Sequence, residues 1–314
     1  IPVVNVDGRA HFFSDANTPS SNRGLRIRMD DDRDGLYDED GPDDLDGDGN
    51  ITNMRIRDTL GRLRSDPSDK RLMITVKPGE KGEWTRLGQE GIDNDGDGQV
   101  NEDGEGYVDG NRNWGMNWNP PYVQSGAGNY PFEGKGIKAI AEWMLARPNI
   151  ILVFAFHNNG GMYLRGPTSK AAGELPQGDV AVYDYLGEHM EKIVPGYQYL
   201  ISWKDLYSTY GDFTDFTDKL VGSYSMVGEL YQPETETYDG TPKRGEEERS
   251  RSGDPTAGER QRLLFDDNVN QGELFREWKP YKHPLYGDIE IGGWTKMSSR
   301  LPHPFMLQDL VHRN

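Results

Sequence analysis

The chain contains no cysteine in 314 residues, so no disulfide supports its fold and every covalent constraint is the backbone's own. It contains no run of 18 or more apolar residues, which removes any membrane-spanning helix. It lacks a basic excess. The formal charge is −18, and without a cationic footprint nucleic acid is excluded as a partner. Such a charge can mark a disordered chain. Here, however, the acids are gathered into patterned loops and Trp, Tyr and Phe are plentiful, which describes a folded domain that attracts cations. The length suits one large α/β domain or two small ones.

The acidic pattern is the first positive feature. Asp30-x-Asp32-x-Asp34-Gly35 is followed by Asp38, and Asp44-x-Asp46-x-Asp48-Gly49 repeats the spacing. Asp93-x-Asp95-x-Asp97-Gly98 repeats it again and is followed by Asn101. Alternate oxygens converge on one hard cation, and glycine at the sixth position permits the sharp turn. A complete EF-hand loop ends in a bidentate Glu at position 12, but Gly41, Arg55 and Gly104 stand there. These are therefore compact Asp-rich loops, expected to hold two to three calcium ions. They occupy a calcium-binding insertion over 30–104, between a first segment of the main domain at 1–29 and its continuation over 105–314.

Apolar patterning supplies the elements. Ile1 to Val6 reads as a short buried strand and Arg71 to Val76 as another. Gly136 to Ala146 and Val180 to Ile193 carry apolar residues at helical spacing. Asn149 to Phe156 is a continuous apolar run, the mark of a parallel strand buried on both faces, and it delivers His157 at its C-terminal end. Ser223 to Leu230 is a strand carrying one acid, Glu229. Residues 233–262 read as a long exposed loop, and Leu263 to Trp278 as an amphipathic helix. Tyr281 to Trp294 contains a short strand, and Met306 onward begins a helix. The fold class expected is α/β: a twisted mixed parallel and antiparallel sheet with helices on both faces, decorated by the calcium loops.

One stretch carries a recognisable chemistry. Val108-Asp109-Gly110-Asn111-Arg112-Asn113 places an amide beside a guanidinium, the side chain best shaped for bidentate carboxylate recognition. This stretch resembles the Val-Asp-x-Asn-Arg-Asn signature of the zinc carboxypeptidases of the carboxypeptidase A/B family, in a bacterial type with Asp-rich insertions. Further landmarks follow in the family's order. Asn5-Val6-Asp7-Gly8 is similar to its Asn-Pro-Asp-Gly turn, Arg23-x-x-Arg26 to its Arg-x-x-Arg element, and Tyr207 to Asp215 to its Tyr-x-x-x-Gly-x-x-x-Asp element. Glu229 lies 22 residues after Tyr207, the family's spacing between its Tyr and its catalytic Glu; Glu290 is the competing acid.

The resemblance implies roles. Asn111, Arg112 and Tyr207 would hold a substrate's terminal carboxylate, and Asp109 would orient a zinc ligand. His157 would be one ligand of a single zinc ion. Glu229 would be general base and then acid, and Arg26, with Arg28 as runner-up, would stabilise the oxyanion. Thr214, with Asp215 beside it, would line the side-chain pocket and imply a small or mixed preference. The family's usual Ser-Tyr after its His is replaced by Asn158-Asn159-Gly160-Gly161, which alters the contacts upstream of the scissile bond. Its His-x-x-Glu pair, which supplies two further zinc ligands, is missing: none of His11, His157, His189, His283, His303 and His312 has Glu three positions on. The expectation is a chain that begins partway through the domain, completed by its own N-terminal fragment or within a larger surface complex.

The function implied is zinc-dependent removal of C-terminal residues from peptides and proteins, in an extracytoplasmic setting of a bacterium. The alternative is an inactive, calcium-stabilised carboxypeptidase-like module in a surface assembly.

Overall fold

The computed structural model describes residues 3–18, 24–25, 27–28, 30, 34–102, 108–194, 196–231, 257–298, 300 and 304–314. The described residues form a mixed α/β arrangement with two sheets. The smaller sheet is built from β5 (Leu152–Asn158), β6 (Met162–Arg165), β7 (Gln198–Ile201) and β8 (Tyr224–Leu230). Its order is β5-β8-β6-β7. β5 runs parallel to β8, β8 antiparallel to β6, and β6 parallel to β7.

Side chains alternate across these strands. Tyr163 and Met226 face α3 (Gln177–Ile193), whose Tyr183 is fully buried against them. Met162, Leu164 and Val227 face the other way, onto Leu200 and Leu206. α2 (Lys135–Leu145) buries Ile137 and Ala141 against Trp114 and Phe216, which belongs to the one-turn helix α4 (Phe213–Phe216). The two long helices thus lie where periodicity places them, α3 beginning three residues early.

The second sheet was not legible as one. It is antiparallel, in the order β3-β2-β4-β1-β10-β9. Four of its strands, β1 (Asn53–Arg57), β2 (Leu63–Ser65), β3 (Met73–Thr75) and β4 (Trp84–Gln89), lie inside the segment read as an insertion. The other two are the hairpin β9 (Phe275–His283) and β10 (Gly287–Trp294). β1 pairs directly with β10, Met54 opposite Ile291. Met54, Ile289 and Ile291 make a small core under the acidic loops, with Leu45 and Val100 packed against it.

Four local expectations are corrected. Val3 and Val4 are exposed, and the chain turns into helix α1 (Val6–Ser14) because the Asn5 side chain accepts from Gly8 N at 2.9 Å and caps it. β5 is not buried on both faces: it is the outer strand of its sheet among the described residues, with Leu152 51% and Phe156 53% exposed. The helix expected over Leu263 to Trp278 ends early. α5 (Ala257–Phe265) gives way to a π-helical turn, and Gln271 and Gly272 adopt positive φ. The fully buried Asp266 then accepts from Leu274 N and Phe275 N, both at 2.9 Å, and this starts β9. Of the loop read over 233–262, residues 233–256 lie outside the described residues, and 257–262 are helical. α6 (Pro304–Arg313) closes the chain.

On its outer face the second sheet uses an enclosed cation. Arg55 is 5% exposed and lies between the indoles of Trp84 and Trp278, 3.9 and 4.0 Å from their centroids. Its Nε and Nη2 donate to Glu290 Oε2 at 2.9 and 2.6 Å. Glu290, the competing catalytic acid of the sequence, is therefore the counter-ion of Arg55. Glu290→Ala should lower stability by about 2 kcal/mol, because it strands a largely buried cation. Urea unfolding reads this directly; an unchanged midpoint would mean that the two indoles alone hold the guanidinium.

Candidate functional site

The site begins with register. Parallel pairing sets His157 of β5 opposite Glu229 of β8 at the C-terminal ends of both strands, the end at which α/β sheets gather their ligands. His157 Nδ1 lies 3.5 Å from Glu229 Oε1. Burial pulls the imidazole pKa down, but the hydrogen bond and charge of Glu229, then the charges of Asp212 and Asp109, push it up, and the net direction is up. The ligating form of imidazole is the neutral one, so charges that push its pKa up compete with metal binding.

The Asn-Arg pair is held by a second segment. Asp212 caps α4, its Oδ1 accepting from Thr214 N at 2.7 Å. Its Oδ2 accepts from Asn111 Nδ2 at 2.8 Å, and Asn111 Oδ1 accepts from Phe213 N at 2.9 Å. Both ends of the Asn111 amide are thereby engaged. Arg112 Nη1 donates to Asn111 O at 2.8 Å and lies 3.9 Å from Asp212 Oδ2. Trp114 N donates to Gly211 O, and Gly211 N to Asn117 O. Gly211 has φ +66° and a Cβ there would lie 2.2 Å from Arg112 O, so only glycine admits this approach.

Asp109 accepts from Asn111 N at 2.7 Å through Oδ1, and its neighbour Val108 accepts from Leu25 N. Thr214 and Asp215 are 2% and 1% exposed. Asp215 accepts from Thr168 N at 3.0 Å, Thr168 Oγ1 at 2.7 Å and Asn117 Nδ2 at 3.3 Å, and burial pushes its carboxyl up. Its contribution is to hold the Thr168 and Asn117 segments together. Tyr207 follows a π-helical turn (Ser202–Leu206) in extended conformation and is 51% exposed. Arg26 lies outside the described residues. The runner-up Arg28 is a surface residue, donating to Asp38 Oδ2 and Tyr37 O, both at 3.3 Å.

A zinc ion is implied by the resemblance, and the donors present can be compared with it. His157 offers an imidazole and Glu229 an adjacent carboxylate. Among the described residues, the groups of three or more converging metal-ligating side chains all belong to the acidic loops. The described donors at His157 therefore fall short of the three protein ligands of a catalytic zinc site.

Two of the three acidic loops bring their carboxylates together. Asp44, Asp46 and Asp48 converge within 4.8 Å, as do Asp93, Asp95 and Asp97. The first carboxylate of each pins its own turn: Asp44 accepts from Asp48 N and Gly49 N, and Asp93 from Gly96 N and Gly98 N. The second loop also meets protein cations, Arg276 at 2.6 Å from Asp48 and Lys279 at 3.7 Å from Asp46. Of the first loop, Asp32 lies outside the described residues. Asp30 and Asp34 accept from the backbone N–H of Gly35 and Leu36, and Asp38 pairs with Arg28. Asn101 donates to Asp40 and to the carbonyls of Gln89 and Glu90.

Three features escaped sequence reasoning. Asp40, Asp95 and Glu102 form a third convergent group joining two loops; burial, then Asp40, pushes the Glu102 carboxyl up to about 7. Glu90 is fully buried, accepting from Thr52 N and Oγ1 at 2.6 Å and from Leu45 N at 3.2 Å. Asp212 is the third; its signal was the acid directly after Gly211 and two before Thr214, an N-cap spacing.

No family model and no curated protein matches the chain. Among solved structures, a carboxypeptidase A from Helicoverpa armigera matches 39% of this chain at 21% identity, with a TM-score of 0.33. The match spans 33% of that protein's length. A likeness this slight carries no argument about the fold or the site.

Burial pushes the Glu90 carboxyl up to about 7 from its ordinary 4.5. The native state then holds a proton that the unfolded chain has released, so this contribution to stability is complete below about pH 4.5 and is lost as pH rises to about 7. Urea midpoints from pH 5 to 8 in chelator should show this fall, and Glu90→Gln should flatten it; equal slopes in the two proteins would assign the pH dependence elsewhere.

Proposed function

We propose that this chain carries the working residues of a metallocarboxypeptidase, a hydrolase acting at the C-termini of peptides. The observation that carries this reading is the strand-end pair: a carboxylate, Glu229, 3.5 Å from an imidazole, His157, while Asp212, which holds Asn111 and Arg112, is among the charges that push that imidazole's pKa up. Arg112 would bind the terminal carboxylate, Asn111 would support it with its remaining amide proton, and the phenol of Tyr207, on an exposed turn, would close over the substrate. Glu229 would take a proton from the attacking water and return it to the leaving amine. Arg26 would face the developing oxyanion. His157 would be one ligand of zinc, which when bound supplies a water of lowered pKa.

The acidic loops would hold two to three calcium ions, taking Asp44, Asp46 and Asp48, then Asp93, Asp95 and Asp97, as the built sites. The first-loop residues would contribute from Asp30, Asp32, Asp34 and Asp38. Open loops of this kind suit the higher calcium concentrations outside cells, which favours an extracytoplasmic location. No helix among the described residues is long and apolar enough to cross a membrane.

Two outcomes test this reading. Glu229→Gln should lower peptide hydrolysis at least about 100-fold with peptide affinity retained, the range lost with a general base. Hydrolysis near the parent rate would remove Glu229 from the chemistry. Calcium, titrated into chelated protein, should raise the thermal midpoint by several degrees where magnesium does not. The double variant Asp44→Asn, Asp93→Asn should lose most of that rise, and an undiminished rise would place the ions elsewhere.

A further inference from the structure

Glu102 is a carboxylate without a partner. The residue as a whole is half-buried, but both of its side-chain oxygens are fully enclosed and neither accepts a hydrogen bond. An enclosed and unmatched carboxylate is costly, and a native chain rarely leaves one without an ion or a donor to meet it.

The direction of the side chain shows what it meets. Counted from Asp93 as the first position of the third acidic loop, Glu102 is the tenth, short of the twelfth position at which an EF-hand places its bidentate Glu. The group formed by Asp93, Asp95 and Asp97 does not include it. Glu102 turns instead to Asp40 and Asp95, and one oxygen from each of the three lies within 4.8 Å of the others. Oxygens that share one calcium at about 2.3–2.6 Å lie no more than about 5 Å apart, so these three already stand at coordinating separation.

Asp40 forms the floor. It is fully buried, its Oδ1 accepting from Asn94 Nδ2 at 3.2 Å and its Oδ2 from Asn101 N at 3.1 Å. A carboxylate has about four lone-pair positions, so these bonds orient Asp40 and leave a position on each oxygen. Asp95 is exposed and forms the mouth, its Oδ1 accepting from Asp97 N at 3.0 Å. The three grade from buried to exposed, which gives an ion its path of entry. Protein cations do not serve this group: among the described residues none of the three is in an ion pair, whereas the second loop has Arg276 and Lys279.

We propose that Asp40, Asp95 and Glu102 bind a calcium ion of their own, beside the ion of the third acidic loop and sharing Asp95 with it. The third loop is then a two-ion site, and the inner ion fastens it to the segment that bears Asp40. Carboxylate oxygens from separate segments suit calcium, whose coordination is flexible, better than magnesium, which demands a strict octahedron. The inference rests on the calcium reading of the acidic loops, adds an ion to it, and is independent of the peptidase reading.

The test counts calcium per chain. The full chain, treated with chelator, is dialysed to equilibrium against about 5 mM calcium chloride, above the roughly 0.1–1 mM range of extracellular sites. Glu102→Gln should bind one ion fewer than the parent. Asp93→Asn, which touches the loop ion alone, should also bind one fewer, and Asp95→Asn two fewer. A Glu102→Gln count equal to the parent's, or an Asp95→Asn count lower by only one, overturns the inference while the loop reading stands. A parent chain that binds no calcium overturns both. Thermal midpoints separate a lost ligand from a damaged fold. In chelator Glu102→Gln should melt no lower than the parent, because it removes one of three crowded charges, and its rise on adding calcium should be smaller. A lower midpoint in chelator would make Glu102 a support of the ion-free fold and would overturn the inference.

Discussion

The parallel pairing of β5 with β8 is the constraint on which the candidate site depends. Side chains of neighbouring parallel strands meet only at matched register, and a slip of one residue sends each to the opposite face. Here the register aligns Leu152 with Tyr224 at one end and His157 with Glu229 near the other. It is fixed along its length by apolar contacts: Met226 packs toward α3, and Val227 toward Leu200 and Leu206. Two polar groups that would otherwise repel the interior are therefore carried to the strand ends by residues that cannot tolerate water. The anchor depends on the same sheet at one remove, since Thr217 Oγ1 donates to Ser225 Oγ of β8 at 2.6 Å and seats the α4 segment that bears Asp212.

Charge is managed in two ways on one chain of −18. Within the folded frame several buried or half-buried acids have a protein cation: Glu290 has Arg55, Asp66 has Arg260, and Asp69 and Asp267 share Arg71. Glu90 and Glu102 take another route, their carboxyls pushed up to about 7, so that neutralisation stands in for a partner. The Asp-rich loops have too few protein cations for their carboxylates, and external cations suit them better than self-repulsion does. Arg276 and Lys279 reach the second loop from β9, and this is why that loop closes on a formed sheet.

What was legible followed local rules. Helices α2 and α3, strand β8 and the strand-end His157 were visible because apolar spacing and chain punctuation agree there with the tertiary outcome. The second sheet was not, because β1 to β4 are short and polar on one face, and their partners β9 and β10 lie some two hundred residues away in the sequence. No local pattern announces such a pairing. The early end of α5 turned on Asp266, a buried acid whose backbone partners are known only once the chain has folded. At the site, residue types were readable but mutual engagement was not: Asn111 reads as a free amide in sequence and proves tied at both ends. Asp212 stood out less than Tyr207 and Asp215, because its cap spacing does not show that its second oxygen reaches Asn111, 101 residues away in the sequence.

The two sheets are joined by hydrogen bonds that reach the candidate site. Asp44 N of the second acidic loop donates to Asn17 Oδ1, and Lys296 Nζ donates to Asp15 O two residues earlier. Four residues beyond Lys296, Arg300 Nη1 donates to Asn158 O, next to His157, and Asn158 Nδ2 returns a bond to Arg300 O. Each of these links joins a side chain to a backbone group, and the structure shows one arrangement of them rather than an element with two alternative packings. Coupling of the kind that switches a site needs such a bistable element. A cation in the acidic loops would therefore act on the site as a brace: it would stabilise the segments at Asp15 and Lys296 that position Asn158, and so raise the fraction of molecules in which His157 and Glu229 are in register, without changing the geometry they adopt.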